Sequence, residues 1–184
     1  MSDITKRAIS ASLKKLLLTK SLNKITIQDI TDDCGINRQT FYYHFADIYD
    51  LVEWTCIEDT EKVLKENKTY DTWQEGFLAV FVLAKKDKTF IDNIYRSVSL
   101  EMLEQYLYRL VYPLIKGVVD EKAKNLVVRD DEKRYIADFY KYAFVGVLLE
   151  WVRSDMREAP EAIVGRVSKI ADGAIELAFH NFNK

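Results

Sequence analysis

The chain of 184 residues is 48% hydrophobic and 12% aromatic with a formal net charge of −2, enough for a sizeable core in one or two domains without disulfide or metal staples. Six glycines and two prolines are too few for a sandwich or barrel of many short strands, whose turns draw on those residues, so an all-α chain is expected. Residues 1–50 hold seven basic and six acidic side chains, a balance with the sign of a nucleic-acid module but far too small to define one.

The first helix is predicted from Ser2 or Asp3 to Thr19, with Ile9, Leu13, Leu16 and Leu17 on one buried stripe and a basic opposite face. Its sequence is broken by Lys14 and Lys15, and no run of about twenty apolar residues occurs anywhere, so neither a signal peptide nor a membrane span is expected and the chain reads as cytoplasmic. Cys34 and Cys56 form no C-x-x-C pair and are read as packing residues. Thr26 is placed to cap the next helix, and Asp29, three residues on, to reach back as in a capping box. Ile27 and Ile30 face inward, and Gly35 ends the turn in the left-handed conformation.

Asn37 then caps a third, short helix, Asn37–Phe45. At about 100° per residue, Phe41 and Phe45 fall on one side while Gln39 and Tyr43 point the other way, flanked by Thr40 and Tyr42. A helix this short does not hold itself, so its neighbours must fix it. That is the arrangement of a helix-turn-helix, which offers its second helix to the major groove. Arg38, Gln39 and Tyr43 are the candidates for base edges, and Thr40, Tyr42 and His44 for phosphates. Thr26, Gln28 and Asn37 complete the candidate DNA-binding set, the two caps because helix starts offer unpaired N–H groups to phosphate oxygens. Periodicity alone also admits a plain surface helix with aromatics half-buried against another domain.

The run ITIQDITDDCGINRQTFYYHFADIYDLVE, Ile25 to Glu53, resembles the DNA-binding signature of the TetR family: a T-x-x-x-I-A helix, a G-V turn and then T-[LIF]-Y-x-H-F. Gly35, Ile36, Thr40, Phe41, Tyr42, His44, Phe45 and Leu51 match in order and spacing. The resemblance implies an N-terminal three-helix helix-turn-helix domain, residues 1–50, joined to a helical ligand and dimerisation domain, residues 51–184. It implies a homodimeric transcriptional regulator whose partner is a double-stranded DNA operator. One departure matters: where the family has a Lys soon after H-F, this chain has Ile48, so backbone N–H groups near Asp47 or a residue elsewhere must anchor that phosphate.

Helical pattern continues through LVEWTCIEDTEKVLKEN, WQEGFLAVFVLAKKD and KTFIDNIYRSV, then through LEMLEQYLYRLVYPLIKGVVDEK with a kink expected near Tyr112 at Pro113. VRDDEKR reads as a helix start, its acids favourable at that end. The segment Tyr135–Val152 is apolar on almost every face, and a last helix is predicted unbroken from Pro160 to Phe182. Gly146, Gly165 and Gly173 would each cost roughly 1 kcal/mol inside helices. A partner chain offsets that cost if the two final helices of each subunit form a four-helix bundle, with Phe144, Leu148, Trp151, Val167, Ile170, Ala174 and Ala178 as the candidate dimer interface. A monomer with a thick core is the alternative.

Trp73, Phe77, Phe81, Tyr106 and Tyr140 are candidates to line an effector pocket, although aromatics at helical spacing also describe ordinary core. The stretch LLEWVRSDMREAPEAI resembles a TetR subgroup linked to dihydroxyacetone kinase operons, which implies a kinase-like protein co-regulator as an alternative to a small-molecule effector. Catalysis has no footing: H-E-x-x-H, G-x-S-x-G, a P-loop and G-x-G-x-x-G are absent, and the two histidines, His44 and His180, are far apart. No cofactor or metal is expected. The remaining rival is a helical adaptor that binds only protein and has lost DNA binding, which Ile48 makes conceivable.

Overall fold

The computed structural model describes residues 2–64 and 72–182, and among them the secondary structure is helical throughout. The expected extension of the fourth helix beyond Leu64 to Asn67 lies outside the described residues. Two compact units form, one from residues up to Glu61 together with 87–100, the other from 62–86 and 101 onward.

In the first unit, α1 (Ser2–Leu17) buries Ile9, Leu13 and Leu17 on the expected stripe. Its polar positions Ser10 and Ser12 are buried too, and each is satisfied: the Thr55 hydroxyl donates to Ser10 Oγ at 2.9 Å, and Ser12 Oγ donates to the Ile30 carbonyl at 3.2 Å. A 3-10 turn (Leu22–Lys24) leads to α2 (Ile27–Cys34), α3 (Arg38–His44) and α4 (Ile48–Leu64). Helix α1 packs on α2 and α3 and also on α6 (Lys88–Ser97), a segment the sequence division at residue 50 assigns elsewhere.

Two side chains explain how α6 is held. Asn93 Nδ2 donates to the Leu17 carbonyl at 3.2 Å, satisfying a group at the open end of α1. Lys14 Nζ bonds Asp59 on α4 at 2.5 Å and Asp87, the residue before α6, at 2.6 Å, while lying over the Phe90 ring. Burial works against the charge on Lys14, but the two carboxylates outweigh it and hold the ammonium above its ordinary pKa.

The second unit contains α5 (Trp73–Lys86), α7 (Leu100–Ala123), α8 (Asp130–Arg153), α9 (Pro160–Ala171) and α10 (Ala174–Phe182). One core of this unit joins Ile115, Val118, Val119 and Ala123 of α7 to Ile136 and Ala137 of α8 and to Ile175 and Phe179 of α10. Helix α7 continues through Pro113 as one helix. Arg129 precedes α8, and Glu132 turns back to accept its backbone N–H at 3.1 Å. The single helix expected from Pro160 to Phe182 is two helices. Asp172 leaves helical geometry and Gly173 takes a φ of 68°, a conformation glycine adopts without strain, so this glycine marks a break where the apolar pattern alone reads as continuous helix.

Candidate nucleic-acid interface

The turn is fixed by local hydrogen bonds before any packing is counted. Thr26 Oγ1 accepts the Asp29 N–H at 3.1 Å, and the Asp29 carboxylate accepts the Thr26 N–H at 2.8 Å, completing the capping box of α2. Gly35 closes α2 at φ 68°, and the Ile36 N–H returns to the Thr31 carbonyl at 3.0 Å. Asn37 Oδ1 accepts the Thr40 N–H at 2.8 Å and the Thr40 hydroxyl at 3.0 Å, which sets the start of α3. The oxygens of Thr26 and Asn37 are therefore committed to caps.

Above that frame the seven residues of α3 divide sharply. Phe41 and the following Phe45 are buried at 0% and 2% exposure, with ring centroids 5.8 Å apart, and Phe45 meets Trp54 edge-on at 5.8 Å. Tyr43 is 82% exposed and Tyr42 57%, with Arg38 and Gln39 exposed beside them. Thr40 and His44 are half-buried at the flanks. The helix thus presents a polar, hydrogen-bonding edge of seven-residue length held from below by phenylalanine.

Two contacts lay beyond sequence reading. Arg38 Nε donates to Gln28 Oε1 at 2.7 Å, and Gln28 Nε2 donates in turn to Asp32, joining α2 to the first residue of α3. At the start of α4, Asp47 Oδ1 accepts the Asp50 N–H and Asp50 Oδ2 accepts the Ala46 N–H, both at 2.8 Å. Two of the amides near Asp47 that were expected to replace a phosphate-anchoring lysine are thereby closed by the chain's own carboxylates.

Acidic residues on α2 are offset by α1 and the turn that follows it. Lys20 pairs with Asp29 at 2.8 Å and Lys15 with Asp33 at 2.5 Å. The Lys20 ammonium, helped by the Thr26 N–H and hydroxyl, lowers the Asp29 pKa to about 2. A carboxylate depressed in the folded state contributes stability above its unfolded pKa and loses it as pH falls through the folded value. Wild type is accordingly expected to lose stability between about pH 4 and pH 2, and Asp29→Asn to flatten that loss, in urea titrations across that range. Thr26→Ala is expected to cost about 1 kcal/mol at neutral pH in the same assay.

In the second unit, Trp73 stacks on Phe144 at 5.6 Å, Phe77 meets Phe144 at 4.6 Å and Phe81 at 4.9 Å, and Phe81 meets Trp151 at 4.8 Å. Tyr140 lies 6.1 Å from Phe144 and Tyr106 is buried. Of the candidate pocket residues, Trp73, Phe77 and Tyr140 meet around Phe144, and Phe81 joins them through Phe77. Of the candidate dimer residues, Ile170 is 77% exposed, whereas Leu148 and Trp151 are buried inside their own unit, the indole N–H donating to the Glu158 carbonyl at 2.9 Å. Phe144, Val167, Ala174 and Ala178 are half-buried. The exposed apolar row on α8 is instead Tyr135, Phe139 and Tyr142.

An all-helical chain whose buried phenylalanines lift a short polar helix outward behind a capped turn is a helix-turn-helix DNA-binding protein. Residues 9–54 match the family described as bacterial regulatory proteins, tetR family, and residues 71–173 match a transcriptional regulator C-terminal region. The chain belongs to the TetR family and is a transcriptional regulator. It is similar to the HTH-type dhaKLM operon transcriptional activator DhaS of Lactococcus lactis subsp. lactis (strain IL1403), 25% identical over 150 residues that span 81% of this chain and 80% of that protein. A solved structure of the dihydroxyacetone kinase operon activator DhaS superposes with a TM-score of 0.74 at 21% identity, covering 95% of this chain and 97% of that one. The TetR family repressor AlkX from Dietzia sp. strain DQ12-45-1b gives 0.62 at 12% identity, over 95% and 96% of the two chains. Among the described residues, no helix is long and apolar enough to cross a membrane.

Proposed function

We propose that the chain acts in the cytoplasm as a homodimer, reads an operator in the major groove with the segment Asn37–Phe45, and controls dihydroxyacetone kinase genes. Residues 1–50 serve as the reading head and residues 51–184 as the regulatory and dimerisation part. The observation that carries this reading is the exposed edge of α3, with Arg38, Gln39 and Tyr43 outward over fully buried Phe41. Arg38 and Gln39 have the donor and acceptor geometry for bases, while Tyr42, Thr40 and His44 lie where phosphates pass. The similarity to DhaS over most of both chains supports the choice of target genes.

Control comes from whatever favours one arrangement of the C-terminal helices, a small effector or a kinase-like protein. Because the aromatic rings around Phe144 already touch one another, an effector lodged among them must part them, and that displacement is the signal.

Purified protein is expected to shift duplex from upstream of its own gene and of dihydroxyacetone kinase genes, with affinity falling steeply as salt rises because phosphate contacts release counterions. Arg38→Ala should weaken specific binding by about 1–3 kcal/mol and leave thermal stability unchanged. Binding that is absent, or indifferent to both salt and sequence, would favour a protein-binding adaptor.

A further inference from the structure

We infer that Gln28 reads no base itself and instead fixes the direction in which Arg38 reads one; this rests on the proposed operator-binding role of α3. Gln28 and Asp32 are four residues apart on α2 and so neighbours on one face. The carboxamide between them and Arg38 is used on both sides: its oxygen accepts Arg38 Nε–H at 2.7 Å, and its NH2 donates to Asp32. A glutamine that recognises adenine must aim that same oxygen and that same NH2 together at the base edge. Here each is already bound within the protein, in opposite directions.

The consequence falls on Arg38. A guanidinium has five N–H donors arranged along its edges. With Nε held by Gln28, the pair left for two-point bonding to guanine O6 and N7 is the tip, Nη1 and Nη2. Arg38 is exposed at the first position of α3, where a side chain of this length otherwise samples many rotamers and loses that freedom on binding. The Gln28 link removes part of that freedom before DNA arrives.

The experiment selects duplexes from a randomised library with wild-type protein and then measures base preference position by position. Arg38→Ala should erase a guanine preference at one operator position, a loss of roughly tenfold or more. Gln28→Ala should weaken the preference at that same position and at no other, and the double variant should be no worse than Arg38→Ala. Exchanging the pair, Gln28→Glu with Asp32→Asn, keeps an acceptor toward Arg38 and the hydrogen bond to position 32 at unchanged net charge, and should retain the wild-type profile. Losses at two different positions that add together would show Gln28 reading its own base and overturn the inference. So would an unchanged profile in Gln28→Ala, or a uniform fall at every position, which marks a merely structural side chain. If wild-type protein selects no duplex at all, the proposed function fails along with the inference; the other contrary outcomes sink the inference alone.

Discussion

Phe41→Ala is expected to destabilise the first unit by about 3–5 kcal/mol and to abolish duplex binding, although Phe41 itself touches no DNA. The ring is completely buried, packs edge-on to Tyr42 at 5.7 Å, and begins a chain of aromatic contacts that runs through Phe45 to Trp54, with Lys6 Nζ lying over both of the latter rings. Seven residues of helix have no stability of their own. Removing the ring leaves a cavity beneath α3 and takes away its principal attachment, so the polar edge loses its fixed orientation. Urea unfolding followed by circular dichroism measures the first effect and a gel shift the second. Tyr43→Ala is the control: at 82% exposure its removal should move stability by no more than about 0.5 kcal/mol. A Phe41→Ala protein as stable as wild type would mean that the phenylalanine anchor is not what holds the reading helix.

The second large effect is expected on the exposed apolar face of α8, if the proposed homodimer is closed there. Tyr135, Phe139 and Tyr142 lie along one side of α8 at 71%, 63% and 54% exposure, with Ile170 on α9 and Leu177 on α10 exposed at 77% and 59%. Apolar rows of this kind on helices mark surfaces that another chain covers. In a two-fold dimer each substitution occurs twice in one interface, so Phe139→Asp buries two unpaired carboxylates at a stroke. The dimer constant should weaken by at least a hundredfold, about 3 kcal/mol or more. Light scattering should then report a mass near 21.5 kDa in place of twice that, and duplex affinity should fall with it. Trp151→Asp is a different experiment, because Trp151 sits in its own unit's core and its loss should unfold the subunit. A Phe139→Asp protein that stays dimeric would move the interface elsewhere.

Much of the reading head was legible in the sequence because its determinants are local. A capping threonine, a glycine with positive φ and two phenylalanines four residues apart each announce their geometry within one or two helical turns. What escaped was long-range. Nothing periodic links Lys14 to Asp59 and Asp87, or Asn93 to the end of α1, so the docking of α6 against the head could not be read from pattern. The Gln28–Arg38 bond spans ten positions and two helices, and it changes the role of a residue that the sequence could only group with the rest. In α8 the difficulty is the reverse: apolar residues on almost every face leave the inward row undetermined. Leu148 and Trp151 went to the subunit core, and Phe139 was left outside. Gly173 was ambiguous for the same reason, since an apolar run continues on both sides of it.

Hydroxyl-radical cleavage of a duplex selected by the protein tests the central claim most directly, that a paired molecule sets two copies of one polar helix edge into successive major grooves. Two protected patches, related by symmetry and separated by about one helical turn or 34 Å, are expected for wild type. A single patch, or uniform protection with no preferred sequence, would contradict the account.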